Sequence, residues 1–431
     1  ILPDYEVTIT YATEKKIVIS NCVFKSNIGN DGNAIYIGKG TQTDVEISSC
    51  TFNDDNLDTS ETTLGYSFVS GCRTTNIDNM TVNIKSSKIT GAIHIISSST
   101  FKLTNSNITL PANNGVLLDN SEIMESKWVI NISQTKFNNI ANEGSRIHIV
   151  DSSISTIDHC ELRDITGSPT TLFKVDISTS EGITFDSLEV QRCTSSLSPI
   201  IILNEQSQSK KFTNCVFEGC ICGSLIEQND REITYENCQF KSNKVRSNGL
   251  CISIQPSQTS TIKNCEFESN SAEGSGNDAF NGGAIYISGS ESESLSDAEI
   301  EISNCTFTNN QATKGQSIYS ANSDTRIIIK DNTTFINNQN KYEVILHSSN
   351  LEIHDIEFSC PQPLLFEIES IEGIEFSNVI SRNSPLLIIP QENSYALDSI
   401  TFKNCKSNSS VITSDTNSFH ISNSNITFDT A

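Results

Sequence analysis

Positive charge is scarce in this chain. Lys and Arg number 28 against 52 Asp and Glu, a formal net charge of −24, which argues against nucleic acid or an anionic membrane as the main partner. Methionine (2), tryptophan (1) and proline (9) are also few among 431 residues. No apolar run approaches the ~20 residues of a membrane-spanning helix, so no membrane insertion is expected within this segment. Apolar residues do not recur at amphipathic-helix spacing, which sets aside leucine-rich and helical solenoids. A Gly-rich phosphate loop, the paired Cys-x-x-Cys of a zinc site and a Ser/His/Asp set are all missing. The chain opens at Ile1 without the basic and apolar regions of a secretory signal, and neither end carries an amphipathic capping helix. The expectation is a segment of a longer protein.

What is present is a repeat. Ile262-Lys263-Asn264-Cys265-Glu266-Phe267 is followed by Gly282-Gly283-Ala284-Ile285-Tyr286-Ile287. The same two phrases open the chain as Ile19-Ser20-Asn21-Cys22-Val23-Phe24 and Gly32-Asn33-Ala34-Ile35-Tyr36-Ile37, and the first returns as Ile302-Ser303-Asn304-Cys305-Thr306-Phe307. A looser template (apolar, two residues, small or apolar, one residue, apolar) fits sixteen times. Its matches include Ile84/Ser87/Ile89, Ile371/Ile374/Phe376, Leu397/Ile400/Phe402 and Ile421/Ser424/Ile426. From Phe24 to Ile426 there are 402 residues in fifteen steps, a mean near 27, inside the range that marks repeat architectures.

Parity within the phrase gives the local shape. In a strand, residues i and i+2 share a face, so Cys22 and Phe24 point the same way. Ile19 lies three residues before Cys22, so burying all three requires a turn at Ser20-Asn21. Asn suits that corner because it tolerates the left-handed region. The second phrase makes another strand, with Ile35 and Ile37 inward and Tyr36 outward. A third leads into the next repeat, as at Val45 and Ile47. Three strands and three corners per coil predict an all-β fold, a right-handed single-stranded parallel β-helix (solenoid) of about 16 coils of roughly 27 residues, continuous over 1–431. At about 4.8 Å per rung this is a rod of roughly 70 Å.

Coil length varies. Phe267 to Phe307 spans 40 residues, with insertions at 271–281 and 289–299, and Phe52 to Ile89 spans 37, with an insertion at 53–63. The steps from Ile89 to Ile108 (19) and Phe358 to Phe376 (18) lie near the least a three-strand coil can occupy.

Phe-x-x-Asn recurs at Phe24…Asn27, Phe240…Asn243, Phe267…Asn270, Phe307…Asn310 and Phe335…Asn338. Gly-Gly-Ala-Ile is complete at Gly282–Ile285 and nearly so at Gly32–Ile35. Together these phrases, confined to 1–60 and 210–340, resemble the repeats of chlamydial polymorphic membrane proteins and of similar (Pmp-like) repeat proteins on protist surfaces. The resemblance implies a parallel β-helix displayed at a cell surface and used in adhesion.

The candidate sites follow. Cys22, Cys50, Cys160, Cys215, Cys238, Cys265 and Cys305 share one repeat position and read as packed thiols, while Cys222 and Cys251 are the candidate disulfide. Asn21, Cys22, Phe24, Asn264, Cys265, Phe267, Asn304, Cys305 and Phe307 are assigned to the structural repeat. Candidate binding residues are Asp54, Asp55 and Asp58, Glu291, Glu293 and Asp297, and the outward Tyr36 and Tyr286, whose wall also carries His94 and His148. The two acidic runs are candidates for Ca²⁺, although neither has EF-hand spacing; no other cofactor is expected. Seven sequons occur, no more than chance gives in a chain so rich in Asn, Ser and Thr; Asn79, Asn107, Asn131, Asn332 and Asn408 are the N-glycosylation candidates. The expectation is an extracellular or cell-surface adhesin or interaction scaffold, non-catalytic, whose partner is a protein or glycan on another cell or matrix, or further copies of itself. A structural fibre element and a pectin-lyase-like polysaccharide-active enzyme are the rivals.

Overall fold

At Asn21 the backbone enters the left-handed region (φ 56), and the same happens at Ser49, Asn79, Asn105, Gln134, His159 and Ser187, then at Asn214, Asn237, Asn264, Asn304, Asp355 and Asn378. This is the corner that parity required at Ser20-Asn21. A computed structural model shows what it joins. It describes residues 7–9, 16–25, 32–54, 64–84, 89–96, 99–109, 114–119, 129–138, 147–150, 154–167, 171, 173–177, 182–195, 198–205, 209–229, 232–246, 251–255, 259–272, 280–288, 298–321, 325–336, 344–346, 351–358, 364–366, 370–372, 375–381, 387–389, 395–398, 401–403, 405–407, 412–414, 419–422 and 425–427. The chain divides into two compact units, Ile1–Lys211 and Phe212–Ala431.

One coil of the second unit shows the plan. Ser260–Lys263 forms the first wall, with Ile262 inward. After the Asn264 corner, Cys265 turns inward and Glu266–Glu268 forms the second wall, with Phe267 in the core. Ser269 (φ 55) makes a second corner, followed by buried Asn270 and the two-residue strand Ser271–Ala272. Ile285–Ile287 forms the last main wall. The short strand after the second corner was not expected; it recurs at Lys244–Val245 and Ile221–Cys222, and in the first unit at Thr166–Gly167 and Thr194–Ser195. Each wall pairs in parallel with the equivalent wall one coil on, as in Phe267↔Phe307 and Ile285↔Ile318. The second wall has seven strands in the first unit and eight in the second, fifteen among the described residues rather than sixteen.

The repeated residues each solve a local problem. Phe217, Phe240, Phe267, Phe307, Phe335 and Phe358 stack with centroids 4.8–5.1 Å apart, a spacing set by the rungs. Fully burying each ring stabilises by about 1.5–3 kcal/mol. The Cys position is a donor site. Cys265 Sγ bonds the Lys263 carbonyl at 3.3 Å and Cys305 Sγ bonds Ser303 O at 3.3 Å. Ser106 and Thr135 make the same bond to Thr104 O (2.8 Å) and Ser133 O (2.9 Å). Where the column holds a donor it bonds the carbonyl two residues back, and sulfur is one solution; Met80, Leu188, Ile356 and Val379 fill the same position without one.

The Asn of Phe-x-x-Asn follows the second corner and is fully buried. Asn270 Nδ2 donates to Phe240 O at 2.9 Å, and its Oδ1 accepts from the Asn243 amide N (3.2 Å) and from Asn243 Nδ2 (3.0 Å). Asn310 repeats this one coil on, donating to Phe267 O at 2.9 Å and accepting from Asn270. A buried carboxamide ladder thus holds backbone groups that would otherwise be orphaned. The Gly pair is steric: Gly282 sits at φ +76, and a Cβ on Gly283 would fall 1.7 Å from the Gln316 carbonyl oxygen. The equivalent Gly315 one coil on has φ +59.

Register differs from the loose template in two places. Val82, not Ile89, pairs with Phe52 and Ile108; the phrase there is Ile77-Asp78-Asn79-Met80-Thr81-Val82, with Asn79 at the corner (φ 52). The steps become 30 and 26 instead of 37 and 19. In the last coils Phe376 pairs with Ile353, and Phe402 with Phe376. Both belong to the first-wall column, as does Ile426, which pairs with Phe402. Asn378 is the corner (φ 54) and Val379 fills the Cys position. Ser381 takes the second-wall place beside Phe358, a step of 23 rather than 18.

Candidate functional site

The outward face carries three kinds of feature: charge pairs, the outward column of the last wall, and two grooves at the first corner. The charge pairs run from rung to rung. Arg73 forks onto Asp44 (2.6 and 3.1 Å) and Arg192 onto Asp164 (2.6 and 2.8 Å), while Arg326 bridges Glu299 and Glu352. The guanidiniums hold Asp44 and Asp164 below the usual carboxylate range. For Glu352, burial pushes upward, but Arg326 and His354 together outweigh it, so the net shift is also downward. Most of these pairs are exposed and screened by solvent, so they contribute little to stability.

Tyr36 and Tyr286 do lie outward on the last main wall, half-buried, one in each unit. In the first unit the column runs from Tyr36 through Val69, His94 and Leu117 to His148. Burial lowers the His94 pKa. Tyr286 stacks on Tyr319 with centroids 5.8 Å apart and rings parallel to 2°, and Ile345 extends the cluster. Asp54 ends the strand Thr51–Asp54 and pairs with Ile84, so the insertion begins after it. Asp55, Asp58, Glu291, Glu293 and Asp297 lie outside the described residues, and with them the acidic runs considered for Ca²⁺. Among the described residues no three His, Cys, Asp or Glu side chains gather as a metal site.

The structure forms no Cys222–Cys251 disulfide. Cys222 sits on the short strand opposite Val245, and Cys251 precedes the strand Ile252–Gln255. Both are fully buried. Burial, with a smaller contribution from Cys222, pushes the Cys251 thiol far up, which suppresses the thiolate that disulfide exchange needs. Cys220 lies off the cysteine column; it occupies the buried-Asn position, and its amide N donates to Asn243 Oδ1 at 3.0 Å. Burial likewise pushes Cys160 up to about 12.

The sequons differ in setting. Asn79 Nδ2 donates to Ser49 Oγ at 3.1 Å, Asn107 Oδ1 accepts from Asn138 at 2.8 Å, and Asn332 shares a two-residue corner with Asp331. Asn408 lies outside the described residues. Asn304 Nδ2 is committed to Asn264 Oδ1 (2.8 Å) within an exposed ladder that continues to Asn237 and Asn214.

Sequence reasoning missed the grooves. In the first unit, three adjacent coils place Asn76, Lys102 and Asn131 in one outward column and Asp78, Thr104 and Ser133 in the next. With Asn105 and Gln134 at the corner they enclose a groove of about 630 Å³. Asp78 Oδ1 accepts from Thr104 Oγ1 (2.6 Å) and Asn105 Nδ2 (2.8 Å). These two bonds, the hydroxyl's first, hold the Asp78 carboxyl below its ordinary value. Asn131 Oδ1 is buried with no hydrogen-bond partner, a situation that costs about 1–3 kcal/mol. In the second unit, the extra corner residue at Asp331–Asn332 (φ 56 and 59) opens a groove of about 520 Å³. Ile336, Ile356 and Ile380 line it beneath Asn332, Asp355 and Asn378. The only sequence signals were short polar residues at outward positions and the one-residue displacement before Thr333.

No curated protein matches the chain. The family profile of the right-handed β-helix region matches residues 91–294 and, overlapping them, 199–358. The two matches span more than half of the chain and coincide with coils whose walls pair in parallel register. The chain belongs to the right-handed β-helix family.

Proposed function

We propose that the chain is a non-catalytic interaction scaffold displayed at a cell surface, an adhesin of the kind implied by its resemblance to polymorphic membrane protein repeats. The observation that carries this reading is the constancy of register across the longest coil. Phe267 to Phe307 takes 40 residues where Phe307 to Phe335 takes 28. Yet Phe267↔Phe307, Ile285↔Ile318 and Ile300↔Ile327 pair in step. The additional residues therefore belong to the connections, 273–279 and 289–297, and not to the walls. A rigid ladder that tolerates insertions at fixed connections is a suitable platform for variable contact segments. The partner is a protein or glycan on another cell or matrix. Asp44, Asp78, Asp164 and Glu352 act as structural pairing groups, their carboxyls lowered by their partners, whereas burial raises Glu227, the direction a general acid needs; the non-catalytic part of the reading therefore stands on the scaffold argument and not on these shifts.

The test is binding of the purified chain to epithelial monolayers and to matrix-coated surfaces, with 55–63, 273–279 and 289–297 each shortened to a minimal turn. The reading expects at least a tenfold loss of binding with one of these variants while thermal unfolding is unchanged. Full binding by all three would contradict the assignment.

A further inference from the structure

We infer that the gap over Ser253, on the last main wall of the second unit, is a binding slot for the guanidinium of an arginine presented by a partner protein, held between the ring of Tyr286 and the carboxylate of Glu227. The inference rests on the scaffold reading only for the source of the arginine, and it uses none of the insertion segments.

Register builds the slot. Glu227, Ser253, Tyr286 and Tyr319 stand on four successive rungs of one outward column, Glu227 paired with Ser253, Ser253 with Tyr286 and Tyr286 with Tyr319. The two tyrosine rings are parallel to 2° with centroids 5.8 Å apart. Coplanar rings cannot approach so closely, so these two meet face to face. The other face of Tyr286 therefore looks along the axis towards the Ser253 rung. A serine side chain is too small to cover it. Ser253 is itself partly exposed, as are Tyr286 and Glu227, so solvent reaches the gap. Glu227 stands on the far side, two rungs or about 9.6 Å from Tyr286 along the axis.

Glu227 is a carboxylate without a cation. Elsewhere on the outer face of this unit Glu266 is paired with Lys241, Glu299 with Arg326 and Glu301 with Lys330. Among the described residues Glu227 has no hydrogen bond or ion pair, and burial alone raises its pKa. A carboxylate that has lost part of its hydration and gained no partner is relieved by an incoming cation. The ring supplies the second attraction, since an aromatic face holds a cation within about 6 Å of its centroid. A guanidinium suits the slot better than an ammonium. It is flat enough to stack on the ring, and its N–H groups donate to a carboxylate that leans over Ser253. Ser253 Oγ offers a further acceptor. The net charge of −24 draws cations to the surface at large; the slot selects among them by shape.

The experiment titrates the whole chain at low salt with N-acetyl-arginine amide and with its citrulline counterpart, which keeps the planar group and loses the charge. Saturation-transfer NMR and calorimetry read the binding. The arginine compound should saturate with a dissociation constant of about 1–5 mM and weaken as salt is added, and the citrulline compound should not bind. Glu227→Gln should weaken binding by about fivefold or more, and Tyr286→Ala by about threefold, with the thermal midpoint unmoved. Tyr286→Phe keeps the aromatic face and should bind like the parent. Glu227→Gln and Tyr286→Phe preserve shape, so they keep the test valid should Tyr286→Ala fold poorly. Glu266→Gln alters an acid that is already paired and should leave binding unchanged. Unchanged binding in Glu227→Gln, an equal loss in Glu227→Gln and Glu266→Gln, or equal binding of the citrulline compound would each overturn the inference. Because the probe is a small molecule and the insertions are intact, failure here leaves the scaffold reading standing, and full adhesion after shortening the insertions leaves this slot standing.

Discussion

The second corner is built differently in the two units. In the second unit Cys220 takes the first such place, and buried Asn243, Asn270 and Asn310 follow and link coil to coil through both backbone and side chain. In the first unit the same place is taken by Ile165 and Cys193. Cys193 Sγ donates to Leu162 O at 3.4 Å, the counterpart of the bond from Asn270 to Phe240 O, but it offers no strong acceptor for a neighbouring amide. The coil geometry is preserved with φ 54 and 51 at Asp164 and Arg192 against 53 and 55 at Ser242 and Ser269. The difference teaches that the fold requires a left-handed corner and an inward-fitting side chain. Identity of the stacked residue is a local reinforcement.

That contrast can be broken in graded steps. The largest effect is expected for Phe267→Ala, which opens a hole in an unbroken aromatic column and should cost about 3–5 kcal/mol in urea unfolding. The counterpart Val190→Ala removes less volume and should cost about 2 kcal/mol. Asn270→Ile comes next: it leaves the Asn243 amide unsatisfied and removes the second bond to the Phe240 carbonyl, which keeps its ladder bond, an expected loss of about 2 kcal/mol. Cys193→Ile, which removes only a weak S–H donor, should cost about 1 kcal/mol or less. Smaller again is Cys265→Val against Cys265→Ser. The first deletes the bond to Lys263 O and should cost about 1 kcal/mol; the second keeps a donor where Ser106 and Thr135 already serve and should lie near zero.

The least effect is acid-dependent. The Asp78 carboxyl is held below its ordinary value in the folded chain, so its contribution is complete above about pH 4 and is lost as pH falls through the depressed folded value. Thermal midpoints measured from pH 7 to pH 3 should fall less steeply at the acid end in Asp78→Asn than in the parent.

These comparisons also show what was legible in the sequence. Asn21, Cys22 and Phe24 revealed a corner through parity alone, and the parallel solenoid followed. The coil at Ile77–Val82 was misplaced because Met80 and Val82 stand where Cys and Phe were sought. The coils at Phe376 and Phe402 slipped because an aromatic residue had moved to the first-wall column, where the rings still stack at 4.8 Å. In both regions the corner residue, Asn79 or Asn378, marked the register, whereas the bulky residue did not. The buried Asn ladder was visible as Phe-x-x-Asn, but its role needed the second corner, which sequence parity did not expose. The grooves were the least legible, because each is assembled from outward residues roughly 26 positions apart that carry no motif of their own.

The most direct test of this account is amide hydrogen exchange at Asn243 in the parent chain and in Asn270→Ile. The Asn243 N–H is bonded to Asn270 Oδ1 at 3.2 Å. Strong protection in the parent, lost at Asn243 in the variant while Phe217 and the second-wall strands of the first unit stay protected, is the predicted result. Equal protection of Asn243 in both chains, with no loss of stability, would contradict the claim that the buried carboxamide ladder holds these corners.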